Sequence, residues 1–245
     1  MRNIKLTIEY DGKDFNGWQK QPTKLNIQGT IEQAIKQITG EEVQLDASGR
    51  TDAGVHAFGQ VANFKTNSQI PIDKFAIAIN SKLKRSIVIK KAEEVDERFH
   101  SRLNCKKKTY RYVINNTPEG TAIYRNLQYC FPIKLNAEKM KEAAKYFEGE
   151  HDFKAFKASG TSSKSSVRII YKAVVYQEGD RIIIELTGNG FLYNMVRIIA
   201  GTLVEVGLGK IESNKIPEII ENKKRENAGK TLPPNGLYLM KVIYD

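Results

Sequence analysis

Apolar and polar residues alternate at the start of the chain: Ile4, Leu6, Ile8 and Tyr10 are separated by Lys5, Thr7 and Glu9, which predicts a strand with one buried face. A polar loop carrying Phe15 and Trp18 follows. Ile31, Ala34, Ile35 and Ile38 then recur at helical spacing; Thr30 and Gln33 form a capping box, and Gly40 suits the C-terminal stop. This predicts a helix packed on the first strand. Extended stretches at 43–48 and 60–66, joined by a loop over 49–59, precede a helical run at 72–83 and a strand at 87–95. The order is β-α-β-β-α-β, the split ferredoxin-like unit.

The second half repeats that order in pattern, without sequence identity. An alternating strand at 109–115 leads through an irregular stretch to a helix at 137–147. Extended runs at 167–176 and 181–186 precede a long apolar helix at 191–206, a short amphipathic helix at 216–222 and a last strand at 238–243. The expectation is an α+β chain of two ferredoxin/RRM-like domains, 1–104 and 105–245. Their antiparallel sheets are expected to join edge to edge, with helices on one side.

Composition narrows the class. With 245 residues, 40% of them hydrophobic and 9% aromatic, the chain has the apolar material for real cores and lacks the signature of a disordered polycation. The first eleven residues alternate charge with apolar side chains, unlike a signal peptide. The most apolar run, 198–208, is broken by Thr202 and Glu205 and is far shorter than the roughly 20 residues of a membrane span. A soluble, cytoplasmic protein is expected. Cys105 and Cys130 are too far apart for a C-x-x-C half-site and too few for a disulfide framework, so they read as reduced thiols.

The net charge of +11 calls for a polyanionic partner. Arg98, Arg102, Lys106, Lys107, Lys108 and Arg111 occur without an intervening acid, interleaved with Tyr110 and Tyr112. A second acid-free stretch holds Lys154, Lys157, Lys164, Arg168 and Lys172, with Phe153 and Phe156 beside it. Basic and aromatic residues together suit RNA, where cations contact phosphates and rings stack on bases. A solvated basic face or an anionic-lipid contact is the alternative.

The most informative loop is Ala47-Ser48-Gly49-Arg50-Thr51-Asp52-Ala53-Gly54-Val55-His56-Ala57. Its glycines allow a tight turn between two strands and leave Arg50, Asp52 and His56 to point into a cleft. On residues alone, Asp52 is either a catalytic carboxylate or a local turn acceptor. Other chemistries are excluded by what is missing. His56, His100 and His151 do not form the H-x-E and P-C-x-x-C pattern of zinc nucleobase deaminases, so no metal is expected. Val204 and Ile211 break a Walker pattern around Gly207-Leu208-Gly209-Lys210, and no G-x-S-x-G elbow occurs.

Five ordered blocks carry a family resemblance. They are Tyr10-Asp11-Gly12 through Phe15-Asn16-Gly17-Trp18-Gln19; Gly49 to Ala57 followed by Gly59-Gln60-Val61-Ala62; Phe99-His100-Ser101-Arg102; Lys108-Thr109-Tyr110-Arg111-Tyr112; and Phe191-Leu192-Tyr193-Asn194-Met195-Val196-Arg197. Through them the chain resembles, over its whole length, the tRNA pseudouridine synthase A (TruA) family. Ser101 stands where Ala is common there, and Ile27 is a further small departure. The resemblance implies isomerisation of uridine to pseudouridine at positions 38 to 40 of the tRNA anticodon arm, with no cofactor. It also implies a homodimer with each active-site cleft between the two domains of one subunit.

The resemblance makes Asp52 the catalytic aspartate, a nucleophile on the ribose or uracil ring or a base at the sugar. A buried carboxylate needs a cationic neighbour to stay charged. Arg197 is the candidate, its alternative being a snorkelling helix side chain. Tyr110 matches the family's active-site tyrosine, able to stack on uracil; without the family it reads equally as a buried strand aromatic. Arg50 is assigned to RNA binding, on a phosphate or in the gap left by a flipped nucleotide. Leu239 is a pocket wall or plain core. The rival is a non-catalytic pair of RRM-like units, but neither half carries the RNP1 order. A membrane-surface or structural protein predicts neither the loop nor the tyrosine strand.

Overall fold

The structure, a computed structural model, describes residues 1–160 and 165–245. The chain divides into two units, Met1–Lys106 with Tyr238–Asp245, and Lys107–Leu237. The first unit therefore runs on to Lys106. It also takes the last strand, which the pattern had placed in the second domain.

The first unit contains β1 (Arg2–Tyr10), α1 (Ile27–Thr39), β2 (Asp46–Ala47), β3 (His56–Thr66), α2 (Ile72–Asn80) and β4 (Ile87–Val95). β1 lies between β3 and β4, antiparallel to both, and β2 pairs with β3. Ile4, Leu6 and Ile8 of β1, Ile31 and Ile35 of α1, and Phe75 and Ile79 of α2 are fully buried. Each such side chain contributes about 1.5–3 kcal/mol. α1 starts a turn earlier than its pattern suggested. Asn26 is the cap, its Oδ1 accepting from Gly29 N–H at 2.8 Å, while the Thr30 hydroxyl donates back to Asn26 O. Gly40 ends the helix at φ 77°.

The strand expected over 43–48 shrinks to β2 because α1 side chains replace part of its ladder. Leu45 N–H donates to Glu32 Oε1 at 3.1 Å, and Gln28 Nε2 donates to Leu45 O at 3.4 Å. Elsewhere in this unit Ser101 is fully buried, and its Oγ finds no hydrogen-bond partner among the described residues, although Asn63 and Tyr244 hold its backbone. Leaving a buried hydroxyl unpaired costs about 1–3 kcal/mol. Ser101→Ala is therefore expected to raise stability by about 1 kcal/mol, seen as a higher denaturation midpoint at unchanged slope.

The second unit contains β5 (Lys107–Asn115), β6 (Tyr129–Cys130), α3 (Ala137–Ala144), β7 (Gly149–Asp152), β8 (Val167–Glu178), β9 (Arg181–Gly188), α4 (Met195–Gly207) and α5 (Ile216–Asn222). Its strands run in the order β5-β9-β8-β7, with β6 parallel to β5. Tyr110, Tyr112 and Ile114 of β5 are buried, and so is most of α4, including Met195, Ile198, Ile199 and Leu203. α4 begins at Met195 and not at 191, because Asn194 sits in the left-handed region at φ 59°. The last strand, β10 (Leu237–Ile243), pairs in parallel with β3, setting Tyr238 opposite His56 and Leu239 opposite Ala57. Among the described residues no helix is long and apolar enough to cross a membrane.

Candidate active site

The loop between β2 and β3 is held from behind by the end of β1 and the polar loop that follows it. A register shift between Ile8 and Tyr10 sets Tyr10 against Ala57, so β1 ends beside the loop's exit. Three attachments then fix the loop. The Tyr10 hydroxyl lies 2.7 Å from Thr51 Oγ1; Trp18 N–H donates to Thr51 O at 3.0 Å; Gly54 N–H donates to Phe15 O at 3.3 Å. Burial pushes the Tyr10 phenol well above its ordinary range, against the opposing hydrogen bonds of Thr51 and Gln60, so it stays neutral.

Glycine is required at two of these contacts. A Cβ on Gly12 would lie 1.9 Å from Val55 O, and one on Gly17, whose φ is +80°, would lie 2.7 Å from Thr51 O. The loop's entrance is fixed by Gln60, which has no exposed surface. Gln60 Oε1 accepts from the Ser48 hydroxyl at 2.7 Å, and its Nε2 donates to Gly49 O at 3.0 Å. Within this frame Val55 N–H donates to Asp52 O at 3.2 Å and Gly54 takes φ +78°, closing the turn on which Asp52 stands. Asp52 is half-buried and Arg50, on the same loop, is exposed. So constrained a backbone fixes where the Asp52 side chain leaves the chain, a precondition for placing its carboxylate against one atom of a substrate.

Tyr10→Phe removes one of these attachments. It is expected to cost about 1–2 kcal/mol of stability and to lower kcat about tenfold with KM nearly unchanged, as a positioning defect does; denaturant titration and steady-state kinetics check it.

In the second unit, Tyr110 is 8% exposed and meets Phe191 edge to face at 5.1 Å. Arg197 lies in the first turn of α4, where the helix dipole disfavours a cation. Its position is nevertheless enforced. Nε–H donates to Leu232 O at 2.6 Å and Nη1–H to Asn194 Oδ1 at 2.7 Å. Asn194 makes no side-chain cap to the helix backbone while its oxygen holds the guanidinium. Burial pushes the neighbouring Tyr112 phenol up, with the Arg197 charge opposing, and its hydroxyl donates to Pro233 O at 2.8 Å.

A chain that builds a glycine-clasped aspartate loop and an oriented arginine at the wrong end of a helix has close relatives. A family model described as tRNA pseudouridine synthase matches residues 6–104 and 143–245. Proteins named tRNA pseudouridine synthase A from Caldicellulosiruptor bescii and Acetivibrio thermocellus are each 54% identical over 244 residues, covering all of both chains. A protein named tRNA pseudouridine synthase A 2 from Clostridium perfringens is 53% identical over the same span. The chain belongs to the tRNA pseudouridine synthase A family. As a tRNA pseudouridine synthase it is an isomerase acting on RNA uridine. Arg50, Asp52 and Arg197 fall inside the matched stretches, and Tyr110 falls between them.

The basic stretches of this synthase are only partly as expected. Phe153 and Phe156 have no exposed surface: a short turn capped by Asp152 sets Phe156 edge-on to Phe147 at 5.1 Å, so both rings are core and unavailable to bases. Tyr112 is also core. Arg111 is paired with Glu185 across β5 and β9 at 2.8 Å, its charge met within the sheet. Arg98, Arg102, Lys106, Lys154 and Lys172 are exposed, and Lys107 lies over the half-exposed Tyr171 ring at 4.7 Å. Lys164 lies outside the described residues. Leu239 is fully buried. No cluster of three or more metal-ligating side chains occurs among the described residues. Sequence reasoning gave no role to Thr51, Gln60 or Asn194. The glycines at 12 and 17 were the available signal, since a glycine between aromatics marks a backbone that something approaches closely.

Proposed function

We propose that the protein converts uridine to pseudouridine at positions 38 to 40 of the tRNA anticodon arm, with Asp52 as the catalytic carboxylate. The observation that carries this reading is the loop geometry: a carboxylate on a turn pinned at both ends and in the middle, in a chain alike over its full length to proteins named for the reaction. The reaction breaks the bond from N1 to the ribose, turns the uracil, and joins C5 to the same ribose carbon; the C5 hydrogen leaves as a proton and N1 takes one up. It is redox-neutral and, apart from that exchange of protons with water, moves nothing between molecules, so its own balance calls for no cofactor. A carboxylate serves it as nucleophile on the ribose or uracil ring or as base at the sugar.

A uridine in a stem must leave the stack to be reached, and Arg50, exposed beside Asp52, contacts a phosphate or fills the vacated place. Tyr110 stacks on the uracil, its edge-on contact with Phe191 fixing the ring plane. Arg197, its guanidinium oriented by Leu232 and Asn194, is assigned to substrate binding. The strand order β4-β1-β3 with β2 beyond β3 supports an RRM-like reading of the first unit. The enzyme works in the cytoplasm as a homodimer that holds one tRNA across both subunits. The test is release of tritium from tRNA transcripts labelled at C5 of uridine. Transcripts with uridine at 38 to 40 release label, and the same transcripts with cytidine there release none; equal release from both contradicts the assignment.

A further inference from the structure

The imidazole of His56 is 2% exposed and stacks on Tyr238 at 5.0 Å, so it has little room to rotate. Among the titratable groups that face it are Asp11, from the position after β1, and the Tyr238 phenol, from β10. Its Nδ1 has two partners with opposite requirements. Gly12 N–H points at it from 3.1 Å and needs a lone pair there; the Asp11 carboxylate, 48% exposed, lies 3.0 Å away and is satisfied by a proton there. One nitrogen cannot serve both. With Nδ1 bare, Gly12 is held to His56 and Asp11 keeps the Lys13 N–H at 3.0 Å. With Nδ1 protonated, the imidazolium donates to Asp11 and the Gly12 N–H faces another N–H.

The bond at stake is close to the chemistry. Gly12 abuts the carbonyl of Val55, the residue whose N–H closes the Asp52 turn, and His56 is the next residue in the chain. We propose that His56 is a positioning residue of the synthase: its bare Nδ1, holding Gly12, keeps the exit of the Asp52 loop in place, and a proton on Nδ1 draws the ring to Asp11 and loosens that hold. The proposal rests on Asp52 as the reacting carboxylate.

The experiment is kcat at saturating tRNA transcript from about pH 5 to about pH 9, the range that spans histidine titration, for wild type, Asp11→Asn, His56→Leu and His56→Asn. Wild type is expected to lose activity on the acid side within that range. Asp11→Asn removes the charge that favours the imidazolium, and its acid limb moves about one unit lower. His56→Leu loses about 100-fold in kcat with little change in KM, the scale of a small misplacement of a reacting group. His56→Asn offers an amide oxygen near the place of Nδ1; it recovers most of that loss and has no acid limb. Thermal unfolding of each variant at both ends of the range separates loosened positioning from lost fold. An acid limb that ignores Asp11→Asn, one that persists in His56→Asn, or a wild type without one overturns the proposal while leaving the proposed function standing. A wild type that forms no pseudouridine at any pH overturns both.

Discussion

Asp52→Asn is expected to bind unmodified tRNA transcript with wild-type affinity and to form no detectable pseudouridine, a loss of at least about ten-thousandfold in kcat. The amide has nearly the shape of the carboxylate, and the bonds described for the loop, from Val55, Trp18 and Gly54 N–H and from the side chains of Tyr10, Ser48 and Gln60, are not removed by the substitution, so the loop is expected to keep its form. What is removed is the negative charge and the lone pairs that attack carbon or take a proton. RNA affinity is expected to come from cations and rings, which the substitution leaves in place. Filter binding and single-turnover kinetics separate the two quantities. A variant with more than about one per cent of wild-type kcat would take the reaction away from Asp52.

The second large effect is expected at Gly12. Alanine there sets a methyl 1.9 Å from Val55 O and 2.6 Å from Val55 C, both backbone atoms, so no side chain can turn aside to make room. Either the end of β1 or the exit of the Asp52 loop must move. Gly12→Ala should cost about 3 kcal/mol of stability and, in the fraction that folds, about 100-fold in kcat, since a shift of about 1 Å in a reacting group has that scale. Gly40→Ala is the control. Unlike Gly12, Gly40 has a positive φ, +77°, and nothing lies within 4 Å of its Cβ position, so only the left-handed conformation is penalised, by about 1 kcal/mol. Denaturant titration and kcat on both variants decide whether the close approach matters to catalysis or only to folding.

Much of this was legible in the chain itself. The alternation from Ile4 to Tyr10 marked β1, and the spacing of Ile31, Ala34 and Ile35 marked α1, because burial on one face leaves a period in the sequence. The strand at 87–95 and the helix at 216–222 were read to the residue. The true start of α1 was hidden because Asn26 acts through geometry that Thr30 and Gln33 also imitate in sequence. β6 and β7, two and four residues long, are too short to carry a period. Phe153 and Phe156 sit among lysines yet point inward, because burial of a ring is decided by partners such as Phe147 that no local pattern reveals.

The site divides the same way. Glycines, an arginine and an aspartate in one loop announced where chemistry was to be sought. The attachments that hold the Asp52 loop were not visible, since Tyr10 and Thr51 are 41 residues apart and meet through side chains. The oddity at Arg197 was half visible: a lone arginine in an apolar run was plain, but its orientation by Asn194 depends on a left-handed residue that the helical period passes over.

The measurement that tests the central claim most directly is mass-spectrometric mapping of pseudouridine in unmodified tRNA transcripts after incubation with the wild-type protein. The expected result is pseudouridine at positions 38 to 40 and nowhere else. Transcripts that remain unmodified, or pseudouridine confined to another region of the tRNA, would contradict it.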